Sequence, residues 1–97
     1  MARIQVDTPC FLCGTAAACG DTDHGNRKFY QCSAEDCGDY EISVAAIRKL
    51  KGATSHRQQL KRVAHDHRGT DTFVEIIVGA DNQVVATAVK RYSGRRR

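Results

Sequence analysis

The chain has no tryptophan, one proline and one methionine, and only three phenylalanines and three tyrosines among its 97 residues. So small an aromatic supply limits the core it can build, and chains of this size often recruit a metal or a partner for stability. No apolar run approaches membrane-spanning length, so no membrane association is expected. The opening residues, Met1-Ala2-Arg3-Ile4-Gln5-Val6-Asp7, lack the apolar stretch of a secretory leader, which makes the cytoplasm the expected compartment. Also missing are a phosphate-cradling glycine loop, a Ser–His–Asp arrangement and paired catalytic carboxylates. Neither enzymatic activity nor a small-molecule substrate is therefore expected.

Cysteine, by contrast, is plentiful. Four of the five cysteines form two close pairs, Cys10-Phe11-Leu12-Cys13-Gly14 and Cys32-Ser33-Ala34-Glu35-Asp36-Cys37-Gly38, separated by enough chain for a hairpin. In a reducing compartment close pairs read as metal ligands, and an odd total fits poorly with a fully disulfide-paired framework. Each pair can present two sulfurs from one tight turn, and a glycine after the second cysteine permits the backbone conformation such a turn needs. Cys10, Cys13, Cys32 and Cys37 are thus the predicted ligands of one structural Zn²⁺, and four sulfurs leave no open position for a catalytic water. Cys19 reads as a small buried apolar residue. His24, in a polar turn, is an alternative ligand that a complete set of four cysteines does not need.

From Cys10 to about Ile42 the chain resembles the zinc-ribbon group in its broad sense, including treble-clef and rubredoxin-like knuckles. The resemblance covers roughly a third of the chain. It implies that the four cysteines are structural ligands, and that the protein binds nucleic acid or docks within a larger assembly. The four-residue spacer of the second pair departs from a symmetric double CxxC pattern.

Beyond residue 42 the charge changes sign. Residues 1–41 carry three basic and seven acidic side chains, whereas residues 42–68 carry seven basic and one acidic. Ser43 is a candidate N-cap for a helix over 44–51, with Val44, Ile47 and Leu50 on one face. A second helix is expected over 56–67, opened by the Ser55–Gln58 capping-box pattern, with Leu60, Val63, Ala64 and His67 inward. Arg57, Lys61 and Arg68 form one row and Gln58 and Arg62 a neighbouring one, both expected to be exposed to phosphates or base edges. The two helices together trace a helix-turn-helix outline. His65-Asp66-His67 tempts an enzymatic reading, but side chains two apart on a helix diverge and cannot easily share one ion. The runs 72–78 and 83–89 flank a Gly79-Ala80-Asp81-Asn82 turn signal and read as a β-hairpin.

The expected fold is α+β and a single domain over 1–97. It comprises a small N-terminal four-cysteine zinc ribbon (4–42), a broken helical segment (43–68), a C-terminal β-hairpin (72–90) and a flexible basic tail (91–97). The expected function is non-enzymatic, regulatory binding of DNA or RNA through the basic helix. The alternative is a protein-interaction module, such as an adaptor or an inhibitor of a nucleic-acid-processing complex encoded by a mobile element. Glu35, Asp36, Asp39 and Glu41 suit that alternative, as does a hairpin able to pair edge-to-edge with a partner or second copy.

Overall fold

The computed structural model describes residues 4–22, 25–32 and 34–90. Six strands and two helices follow one another along them. They are β1 (Ile4–Pro9), β2 (Ala16–Thr22), β3 (Arg27–Cys32), β4 (Tyr40–Ser43), α1 (Val44–Leu50), α2 (Thr54–Asp66), β5 (Thr72–Val78) and β6 (Val84–Lys90). All six strands join one sheet whose spatial order is the chain order. Neighbours are antiparallel except β4 and β5, which run parallel. A parallel pair requires a crossover, and α1 and α2 provide it.

This sheet overturns the expected assembly of a separate ribbon, a helical segment and a hairpin. The physical reason lies in β4. Tyr30 pairs with Tyr40, Tyr40 with Val74 and Ile42 with Ile76, so β4 is hydrogen-bonded on both edges. A free-standing ribbon would leave Tyr40 and Ile42 at its rim, whereas the continuous sheet buries both completely. Full burial of each such side chain stabilises by about 1.5–3 kcal/mol. The two helices of the helix-turn-helix outline both lie within this β–α–α–β crossover.

Strand alternation divides the sheet into two unlike faces. Ala17, Cys19, Tyr30, Cys32, Tyr40, Ile42, Val74 and Ile76 point into one core together with Ala46, Leu50, Leu60 and Ala64 of the helices. Tyr30 and Tyr40 stack within it at 5.0 Å between ring centres. On the other face Phe29 meets Phe73 edge-to-face at 5.3 Å, and Arg27 bridges Glu41 and Glu75.

Ser43 caps α1 by accepting the Ala46 N–H at 3.1 Å. The capping box expected for α2 does not form: the helix begins at Thr54, and its cap, Ala53, offers no side-chain hydrogen bond. Among the described residues no helix is long and apolar enough to cross a membrane.

Candidate metal centre

Successive antiparallel strands turn at alternate ends of a sheet, so the β1–β2 and β3–β4 connections emerge side by side. Cys10 and Cys13 occupy the first connection; Cys32 ends β3 and Cys37 lies in the second. Backbone bonds tighten the first knuckle: the Cys10 N–H donates to Thr15 O and the Gly14 N–H to Cys10 O, both at 2.8 Å. Gly14 closes that turn at φ +82°, where a side chain would be strained.

The four sulfurs converge. The Sγ atoms of Cys10, Cys13, Cys32 and Cys37 all lie within 4.8 Å of one another. The Cys10–Cys37 separation is 3.8 Å and the Cys13–Cys32 separation 3.4 Å. A tetrahedral ion with metal–sulfur bonds of about 2.3 Å sets its ligand sulfurs about 3.8 Å apart. These distances far exceed a disulfide bond of about 2.05 Å, and all five cysteines are free thiols. The four cysteines are therefore positioned to hold one metal ion.

Electrostatics within the cluster are strongly ordered. The hydrogen bond from Cys37, aided by Tyr40 and by backbone donors, pulls the Cys10 thiol down to about 4. Interaction with Cys10, together with burial, pushes Cys37 upward. Burial raises Cys32 to about 12. Cys10 readily carries a negative charge while Cys32 and Cys37 resist a second, through burial and the like charge beside them. A cation at the centre would relieve that resistance.

Tyr40 is the chief supporting side chain. Its hydroxyl lies 3.2 Å from Cys10 Sγ and accepts the Phe11 N–H at 3.0 Å, tying β4 to the first knuckle. Tyr40→Phe keeps the ring stack and removes both bonds, leaving the Phe11 N–H unsatisfied. We expect a loss of about 1–3 kcal/mol, measured by denaturant unfolding. A change under about 0.5 kcal/mol would remove Tyr40 from this role.

The helical layer braces the second knuckle. Gly38 lies so close to α2 that an added Cβ would sit 2.4 Å from Ala64 O. Arg68 donates to Ala34 O, and to Cys37 O at 3.0 Å. Lys61 pairs with Asp36 at 2.9 Å, while Arg57 lies over the Phe11 ring at 5.4 Å from its centre and donates to Leu50 O.

The predicted row of Arg57, Lys61 and Arg68 is thus brought together against the knuckles, where sequence reasoning expected it to be wholly exposed. Arg57 and Lys61 are half-buried. Arg68 is exposed, but its guanidinium is committed to knuckle carbonyls. A Zn²⁺ with four thiolates would carry a formal charge of −2, and a basic flank beside it offsets that charge. The neighbouring row, Gln58 and Arg62, is exposed. Between α2 and the first knuckle lies an open cleft of about 520 Å³, with Phe11, Arg57, Gln58 and Lys61 on its walls.

Cys19 is buried on β2 opposite Tyr30, outside the sulfur cluster, and burial raises its thiol. His67 bonds Thr72 Oγ1 through Nδ1 at 2.9 Å, and His65 is exposed beside Asp66, so neither joins the cluster. His24 and the basic tail 91–97 lie outside the described residues. Sequence reasoning placed Tyr40 near the metal hairpin but missed its hydroxyl bonds, and missed the contacts of Asp36 and Gly38 with α2. The only local signal was their closeness to Cys37, since their partners are distant in sequence. Comparisons with protein families, with curated proteins and with solved structures return no match for this chain.

Proposed function

We propose that the cluster holds a structural zinc ion and that the chain is a non-enzymatic module binding nucleic acid across its helical layer. Zinc suits an all-sulfur tetrahedral set, and four protein ligands leave no coordination position for a reacting water. The observation that carries the nucleic-acid reading is the charge of the layer's outer surface. Arg48, Lys49 and Lys51 are exposed on and just after α1, as are Gln58 and Arg62 on α2, and Asp66 is the only acid in either helix. Arg57, Lys61 and Arg68 add positive potential from the knuckle side. Exposed Lys and Arg neutralise phosphates and release counterions, while Gln58 can reach a base edge.

The test is titration of duplex and single-stranded nucleic acid at several salt concentrations. Affinity should fall by an order of magnitude or more between about 50 and 200 mM salt. Replacing Lys49 and Arg62 together by alanine should reduce the log–log salt slope by about two, with little loss of stability. Binding that ignores salt, or that survives this double substitution unchanged, would refute the reading.

A further inference from the structure

The two edges of the sheet are built differently. At one edge, β1 is interrupted by a register shift between Gln5 and Thr8 and ends in Pro9. Bulges and prolines of this kind blunt an edge against pairing with another chain. At the other edge, β6 matches β5 residue for residue over seven consecutive pairs, from Thr72–Lys90 to Val78–Val84. Residues 84–89 contain no charge, no proline and no glycine, and Val85 is 40% exposed.

The backbone of β6 is also correctly phased for a further strand. The Gly79 N–H donates to Gln83 O at 2.7 Å, which fixes the alternation along the hairpin. Val84, Ala86, Ala88 and Lys90 then fall in the pairs whose N–H and C=O groups turn away from β5, towards the edge that no strand among the described residues covers.

We propose that this edge binds the β6 of a second copy of the chain, antiparallel, about a two-fold axis at Thr87. In that register Ala86 of one copy and Ala88 of the other exchange backbone hydrogen bonds, as do Val84 and Lys90. Val85 lies opposite the second copy's Val89, and Thr87 opposite its own counterpart. These are non-hydrogen-bonded pairs, in which the Cα atoms approach to about 4.5 Å and the side chains touch. Val–Val and Thr–Thr are favourable cross-strand partners. The strand is thus complementary to itself in backbone phase and in side chains. Its flanking charges are complementary too: Asp81 precedes the strand and Lys90 ends it, so antiparallel pairing brings the lysine end of each copy to the aspartate end of the other.

The test uses the metal-loaded chain in sedimentation equilibrium, from about 1 μM to 1 mM. The wild type should move from 10.7 kDa towards twice that mass as concentration rises. Thr87→Lys places a lysine opposite Glu75 within the chain but sets two like charges together at the two-fold axis. It should weaken association at least tenfold while leaving metal content and circular dichroism unchanged. Under mild oxidation Thr87→Cys should cross-link with itself. Val85→Cys alone should not, but a mixture of Val85→Cys with Val89→Cys should. A wild type that stays monomeric throughout, whether or not it captures another protein, overturns the proposal. So does a dimer indifferent to Thr87→Lys, or a Val85→Cys that cross-links with itself.

Discussion

Cys37→Ser should take the purified chain from about one bound metal ion to almost none, and its cooperative unfolding transition should shift far down in temperature. Cys37 is completely buried, and its sulfur sits 3.8 Å from that of Cys10 at the centre of the cluster. A serine hydroxyl is a poor ligand for a soft-sulfur site, so three thiolates would remain around an ion that needs four. Structural zinc sites of finger peptides contribute about 10–16 kcal/mol of apparent binding free energy at neutral pH, as much as the whole stability of a typical domain. Losing even about 4 kcal/mol of that lowers the melting temperature of a chain this size by roughly 16–32 °C.

The matching control is Cys19→Ser. That residue is also buried but lies outside the cluster, so metal stoichiometry should stay at about one while stability falls only modestly. Elemental analysis beside thermal melts, with and without a strong chelator, reads both outcomes. If Cys37→Ser kept wild-type metal content, or Cys19→Ser lost it, the ligand assignment would be wrong. Acid should act in the same direction as the Cys37 substitution. Cys32 and Cys37, both raised well above neutrality, keep their protons until an ion displaces them. Uptake at neutral pH should therefore release at least these two protons, and affinity should fall as pH falls.

The metal cluster was legible in the sequence because ligand spacing is local: each pair lies within a six-residue stretch that one turn can organise. The C-terminal strands were legible for the same reason: the runs 72–78 and 83–89 declare themselves over a few residues. What could not be read was pairing. Nothing in Tyr40-Glu41-Ile42 says that its second neighbour is Val74-Glu75-Ile76, across two intervening helices, yet that seam turns three modules into one sheet. β1 was hidden by Asp7 and Pro9, residues that β-propensity disfavours and that an edge strand tolerates. The basic helix shows the same division. Helical periodicity correctly groups Arg57, Lys61 and Arg68 into one row, but periodicity cannot say what faces a row. The knuckles face it, so Arg57, Lys61 and Arg68 also meet Phe11, Asp36 and the carbonyls of Ala34 and Cys37.

Gly38→Ala is the sharpest test of that brace, because the two knuckle glycines are glycine for different reasons. Gly14 sits at φ +82° with nothing within 4 Å of where a Cβ would go. Its replacement by alanine should cost only the left-handed backbone strain, about 1–2 kcal/mol. Gly38 has no such backbone constraint, but a Cβ added there would sit 2.4 Å from Ala64 O, and that oxygen belongs to the backbone of α2 and cannot swing aside. An ordinary contact begins near 3.4 Å, so the helix or the knuckle must retreat by about an ångström. Overpacking against so fixed a neighbour should cost about 2–4 kcal/mol, or roughly 10–30 °C in melting temperature. Metal affinity should also fall, because the same retreat pulls Arg68 away from the Cys37 carbonyl. A double-mutant cycle then separates brace from bulk. Arg68→Ala should be clearly destabilising in the wild type and nearly silent once Gly38→Ala has displaced the helix. If the two substitutions instead add, or if Gly38→Ala costs no more than Gly14→Ala, α2 does not hold the second knuckle in place. The basic row would then be free for the ligand that the sequence first suggested.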